Sequence, residues 1–82
     1  MKLPRGLSGE DLASLLRRYG YTVSRQTGSH IRLTSSYKGE THHITIPRHG
    51  SLKVGTVSAI LSDVATYLGI ERDDIIHTLF GN

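Results

Sequence analysis

Between Tyr21 and Ile46 the apolar residues of this chain fall on every second position in three separate runs, and on either side of that stretch they fall on every third or fourth. That change of period limits the fold more than any other feature, because a period of two buries one face of a strand and a period of 3.6 buries one stripe of a helix. The chain therefore reads as helix, three strands, helix.

Ser8 followed by Gly9, Glu10 and Asp11 reads as a helix N-cap with acids in the first turn, where they meet the positive end of the helix dipole. Leu12, Leu15, Leu16 and Tyr19 continue at helical spacing until Gly20 stops them. Tyr21 to Arg25 and Ser29 to Thr34 then alternate, which predicts a β-hairpin. Opposed residues of an antiparallel pair share a face, so Tyr21 and Val23 are expected opposite Leu33 and Ile31. This register sets Ser24 opposite His30 and Thr22 opposite Arg32, away from the core. It leaves Gln26, Thr27 and Gly28 as a three-residue loop, closed by Gly28 in the left-handed region.

Thr41 to Ile46 alternates again and stops at Pro47, which has no N–H to give to a ladder. With Ile44 and Ile46 inward, His43 and Thr45 join His30 and Arg32 on the outer face, while His42 turns coreward or lies at a frayed strand end. After a loop from Arg48 to Ser51, the residues Val54, Val57, Ile60, Leu61, Val64 and Leu68 mark a longer amphipathic helix ended by Gly69. Ser51 is a candidate cap for it, and Gly55 leaves room for a backbone or a phosphate to come close. Glu71 to Phe80 predicts a short third helix with acids at its start. The expected class is α+β: a helix, a three-stranded antiparallel sheet, a helix and a short C-terminal helix, in one domain over residues 1–82. Both main helices should pack on the apolar sheet face and leave the other face to solvent.

A chain of 82 residues has room for one modest core, burying only roughly 60% of the surface of its unfolded form. Chemistry must then happen on the surface or in a shallow groove, which favours a macromolecular substrate. The absence of cysteine rules out disulfides and thiolate metal sites and fits a cytoplasmic location. The apolar runs are too short to cross a bilayer, and the stretch from Met1 to Gly6 lacks the apolar core of a signal peptide, so no membrane role is expected. Charge is segregated along the chain. From Leu12 to Ser62, Arg17, Arg18, Arg25, Arg32, Lys38, Arg48 and Lys53 face Glu40 alone; from Asp63 onward, Asp63, Glu71, Asp73 and Asp74 face Arg72 alone. A polyanion would be drawn to the middle of the chain, although an ordinary solvated basic face would look the same in sequence.

His30 is the sharpest chemical candidate. Its imidazole exchanges a proton near neutral pH, and Arg32, two residues along the same face, can hold a phosphate through paired hydrogen bonds. The expected register also brings His43 or Thr45 across from it. An exposed strand histidine without a role is the plain alternative. Zinc held by His42, His43 and His49 is disfavoured, because adjacent strand residues diverge and no carboxylate or thiolate joins them at ligand spacing. A Ser29–His30 hydrolase is set aside on the same divergence and for want of an orienting acid. Arg48, His49, Ser51 and Lys53 stand before the second helix, where backbone N–H groups suit a phosphate, though capping explains Ser51 equally well. Tyr37 and Lys38 in the strand connection can touch a base and a backbone, or simply belong to a polar loop.

The stretches RQTGSHIRLT and ITIPRHGSLKVGTVSAIL, together with the opening LSGEDLASLLRRYGY, resemble the HicA family of toxins, small messenger-RNA interferases of bacterial and archaeal toxin–antitoxin pairs. The shared pattern is a Gly-Ser-His turn, an alternating strand, a Pro-x-His and a Leu-Lys-x-Gly-Thr helix start, in the family's order. The resemblance implies a fold like a double-stranded-RNA-binding domain and no cofactor. It implies that His30 is catalytic and that His49 stands at the Pro-x-His position. His49 and His43 remain candidates for a second acid or base. Arg25, Arg32, Lys38, Arg48 and Lys53 are expected to bind RNA on charge and position, and a HicB-type antitoxin is the expected protein partner. Two rivals stand beside this reading: an RNA-binding module without catalysis, and a protein-interaction domain whose open sheet face docks an acidic partner.

Overall fold

A computed structural model describes residues 3–81; Met1, Lys2 and Asn82, which the signal-peptide reading and the domain bounds include, lie outside the described residues. The elements are α1 (Gly9–Leu16), β1 (Thr22–Gln26), β2 (His30–Ser35), β3 (His42–Pro47), α2 (Val54–Leu68) and α3 (Arg72–Phe80), with a single 3-10 turn at Arg17–Tyr19 after α1. The α+β order expected from the apolar periods is present, and it is compatible with the layout of a double-stranded-RNA-binding domain. No helix among the described residues is long and apolar enough to cross a membrane.

Ser8 caps α1 reciprocally: its hydroxyl accepts the Asp11 N–H at 2.9 Å and the Asp11 carboxylate accepts the Ser8 N–H at 3.2 Å. Gly9 follows, and its lack of a side chain is structural. A Cβ there would sit 2.1 Å from the Pro47 carbonyl oxygen, and the Gly9 N–H donates to the His49 carbonyl at 2.9 Å. The start of α1 is thus docked on the chain leaving β3. At its other end Gly20 adopts φ +81°, which turns the chain so that Tyr21 is wholly buried before the first strand begins.

The sheet has the order β1-β2-β3, antiparallel throughout. Ile31 and Leu33 on β2 and Ile44 and Ile46 on β3 enter one core with Leu12 and Leu16 of α1, Val57, Ile60, Leu61 and Val64 of α2, and Ile75 and Ile76 of α3. Ser35 continues the inward row of β2. Its buried hydroxyl donates to the Tyr19 carbonyl at 3.0 Å and accepts the Tyr37 N–H at 3.1 Å, so it costs no unpaired polar group.

The expected hairpin differs from the observed one in pairing, in the face of Val23, in a bulge and in its loop. Val23 faces Leu33 and Thr22 faces Thr34, not Ile31 and Arg32. Tyr21 reaches the core from the turn after Gly20 and needs no place in the ladder, so the premise that fixed the register fails. Val23, counted inward, is 52% exposed because β1 is an edge strand. The register then shifts at a bulge between Val23 and Arg25, which brings Arg25 opposite Arg32 and removes Ser24 from any pairing with His30. The connection is Thr27-Gly28-Ser29, and Gly28 is not left-handed. Thr27 closes it instead: its N–H donates to the His30 carbonyl at 2.9 Å and its hydroxyl accepts the His30 N–H at 3.0 Å.

Ser51 is not the cap of α2. Leu52 is buried, with its N–H on the Leu7 carbonyl at 2.7 Å, and the helix begins only after Lys53. A Cβ at Gly55 would meet nothing within 4 Å beyond its own helix, so no other backbone of this chain comes close on that side. Gly69 ends α2 with φ +70°, and α3 starts after Glu71 with Asp73 and Asp74 in its first turn.

Candidate nucleic-acid interface

Alternation along β2 and β3 sends His30, Arg32 and Thr34 outward beside His43, Thr45 and Pro47, on the face that no helix covers. The partners across the ladder are His30 with Pro47, Arg32 with Thr45, and Thr34 with His43. The expectation that His43 or Thr45 lies across from His30 is therefore corrected: the antiparallel register places both further along the strand. On the other side of β2, Arg25 opposes Arg32 and the Ser24 hydroxyl donates to the Arg32 carbonyl at 3.2 Å. Thr34 donates to Ser24 and also meets His43 Nδ1 at 2.8 Å, which makes a row of hydroxyls between the cationic groups.

His30 is exposed at the end of this face, and its backbone is fixed by the Thr27 closure of the turn. Ser29 Oγ lies 3.0 Å from His30 Nδ1. The divergence of neighbouring strand residues does not apply here, because Ser29 belongs to the turn and only His30 to the strand. No carboxylate contacts the ring among the described residues, so a hydroxyl alone orients it. That hydroxyl can accept from Nδ1–H or donate to Nδ1, so it tolerates both the neutral and the charged ring.

The chain leaving β3 backs the turn. The Arg48 N–H donates to the Ser29 carbonyl at 2.8 Å, its guanidinium to the Thr27 carbonyl at 3.4 Å, and it also pairs with Glu10 of α1 at 3.3 Å. His49 follows, exposed, with its carbonyl held by Gly9. Lys53 is exposed at the N-cap of α2, whereas Lys38 sits past the opposite end of β2 from His30, its N–H on Tyr67 Oη at 3.0 Å. The structure thus gathers His30, Arg32, Arg25, Arg48 and His49 around one end of the sheet and leaves His43 and Lys38 away from it. Sequence reasoning weighed Ser29 only as a nucleophile and read Gly9 and Glu10 only as the start of a helix; it missed Thr27 as the closure of the turn, Glu10 as the partner of Arg48 and Gly9 as the docking point on the chain leaving β3. A threonine two residues before the serine was a readable turn signal; nothing in the order of residues ties Glu10 to Arg48.

His42 belongs to the inside, as one of its two expected positions required. Its ring stacks on Tyr67 with centroids 4.6 Å apart, Nδ1 lies 2.7 Å from the Tyr21 hydroxyl, and Nε2 lies 3.3 Å from Asp63. Burial, with the Tyr67 and Asp63 charges adding to it, pushes the Tyr21 phenol far above its ordinary pKa. The Tyr21 hydroxyl keeps its proton and shares a hydrogen bond with Nδ1, while Nε2 faces the Asp63 carboxylate. Among the described residues no group of three or more histidine, cysteine, aspartate or glutamate side chains is placed to hold a metal ion.

The family model described as HicA toxin of bacterial toxin-antitoxin matches residues 9–65, from the first residue of α1 into the last turn of α2. Neither a curated protein nor a solved structure matches the chain.

Proposed function

This chain belongs to the HicA family, the toxin of a bacterial toxin–antitoxin pair, and from that membership we propose that it is an RNA endonuclease of the messenger-RNA interferase kind with His30 as its catalytic residue. The observation that carries the reading is an exposed imidazole at the end of an open cationic sheet face, braced at Nδ1 by Ser29 and leaving Nε2 toward solvent.

In the proposed reaction Nε2 of His30 takes the proton of a ribose 2′-hydroxyl as that oxygen attacks the adjacent phosphorus. The bond from phosphorus to the 5′ oxygen breaks, that oxygen takes up a proton, and the products are a cyclic phosphate and a free 5′-hydroxyl. No metal is needed in this scheme, and DNA, which lacks the nucleophile, is spared. One imidazole cannot be base and acid at the same moment, so the second proton comes from His49 or from water. His43, the other candidate, faces Thr34, four positions along β2 from His30, or about 13 Å at the usual strand rise; that register supports His49 over it. Arg25, Arg32, Arg48, Lys53 and the more distant Lys38 supply the positive charge that holds the strand or stabilises charge developing on the phosphate. A HicB-type antitoxin would silence the toxin by covering His30 and the basic face, and the site of action is the cytoplasm, where messenger RNA is found.

The test is cleavage of a structureless RNA by the purified chain in EDTA. Wild type should cut the RNA, leave cyclic-phosphate ends and ignore the matching DNA, while His30→Ala should not cut. Equal cutting by the alanine variant would remove His30 from the chemistry. Tight, salt-sensitive binding with no product, unchanged in the variant, would establish instead an RNA-binding module without catalysis.

A further inference from the structure

Arg25 and Arg32 stand directly opposite one another in the β1–β2 ladder. Had that ladder continued in step from the pair Val23–Leu33, Ser24 would face Arg32, and Arg25 would face Ile31 on the core side. The bulge at Ser24 inserts one residue and returns Arg25 to the outer face. Ser24 stays on that face too, its hydroxyl bonded to the Arg32 carbonyl and to Thr34. Like charges directly opposite in a sheet oppose folding, and neither guanidinium has a carboxylate partner among the described residues, where the ion pairs are Arg48–Glu10 and His42–Asp63. Thr45, the partner of Arg32 on its other side, brings only a hydroxyl. A local irregularity that sets two unpaired guanidiniums against each other makes sense when an anion lies between them.

We propose that Arg25 and Arg32 form a two-armed clamp on a single phosphodiester of the bound RNA, beside His30, and that the Ser24 bulge exists to align the arms. The inference deepens the nuclease reading and rests on it for the identity of the ligand, but not for the geometry. Two guanidiniums present paired donors to the oxygens of one phosphate, a match that lysine would not reproduce.

The probe is a 2′-O-methyl oligoribonucleotide, which binds like RNA but has no free 2′-hydroxyl to attack with. Its affinity is measured across a range of salt for wild type, Arg25→Gln, Arg32→Gln and the double variant. Each single variant should bind roughly tenfold more weakly, and the double variant should lose much less than the product of the two. The slope of log affinity against log salt should fall in the double variant by about 0.7, the share of one phosphate on a single strand. A fall of about 1.4, with the single effects multiplying, means two separate phosphates and overturns the clamp; so does an unchanged slope, or a wild type that does not bind. Thermal unfolding gives a second reading. Without ligand the single variants should melt no lower than wild type, since each relieves a repulsion, and inorganic phosphate should raise the wild-type Tm more than that of the double variant. An equal rise in both sinks the proposal. His30→Ala should keep the wild-type slope, so a chain that binds through the clamp yet cuts nothing would lose the nuclease reading alone.

Discussion

Ser29 orients His30 with a neutral group, and that choice matters chemically. A carboxylate at Nδ1 would favour the charged ring and hold its proton; a hydroxyl serves the ring in either state, which suits the proton transfer proposed for His30. An oriented hydrogen bond of this kind contributes about 0.5–1.5 kcal/mol, so Ser29→Ala should slow RNA cleavage by roughly two- to tenfold with the Tm unchanged. Ser29→Thr should restore most of the rate. A full wild-type rate in the alanine variant would show that the contact does not orient the ring. The glycines offer a sharper contrast. Alanine at position 9 would put a methyl group 2.1 Å from the Pro47 carbonyl oxygen, whereas alanine at position 28 would meet nothing within 4 Å on a backbone that is not left-handed. Gly9→Ala should therefore cost about 1–3 kcal/mol in urea unfolding, and Gly28→Ala should stay within about 0.5 kcal/mol of wild type. The sequence, read by turn statistics alone, points to Gly28 as the glycine that matters. Long-range contact reverses that, because the carbonyl that fixes Gly9 lies far away in the chain.

At the scale of elements, existence was legible and alignment was not. Apolar period alone located the three strands, each within one residue of its observed bounds, and the αL glycines ended α2 and the turn after α1 where expected. Register failed because it rested on Tyr21, a residue whose burial comes from the Gly20 turn, and because a bulge leaves no trace in a two-residue period. His30 and Arg32 survived the error, since a slip of two keeps every side chain on its face; Arg25 did not, and its place beside Arg32 was invisible. The apolar period put Val54 first in α2, as observed, but the candidate cap at Ser51 failed for a related reason. A serine that can cap is a local signal, and the burial of Leu52 against the Leu7 carbonyl overrode it. Where local and long-range signals agree, as at Ser8, the cap forms as read. Ser8→Ala removes the hydroxyl half of that capping box, while the backbone N–H at position 8 keeps the Asp11 carboxylate, and should cost about 1 kcal/mol in urea unfolding, with Ser8→Asp recovering most of it. A loss no larger than that of a neutral surface change would mean that the docking of Gly9 alone holds the helix start.

For the whole molecule, the two ends of the sheet do different work. One end sets the His30 turn, open to solvent, against the chain leaving β3 through Arg48, while the other is closed by Tyr21, His42, Asp63 and Tyr67, which tie the start of β1, the start of β3 and helix α2 into one polar knot. Tyr67 adds its hydroxyl to the Ser35 and Glu40 carbonyls on either side of the β2–β3 connection. This knot should set the alkaline limit of the fold, and the sign follows from the Tyr21 phenol. Burial raises its pKa in the folded chain, so the folded protein keeps that proton where the unfolded chain, with a phenol near its ordinary value of about 10, gives it up. The contribution of Tyr21 is then complete below about pH 10 and is lost progressively as the pH climbs from there toward the folded value. Tyr21→Phe has no phenol to ionise. At pH 7 it should be less stable than wild type by about 1–3 kcal/mol, because His42 Nδ1 loses its hydroxyl partner, yet its stability should fall less between pH 9 and pH 11. Urea unfolding at pH 7, 9 and 11 should therefore show the two stabilities converging at the alkaline end; parallel curves across that range would mean that the Tyr21 proton is no more tightly held in the folded chain than in the unfolded one.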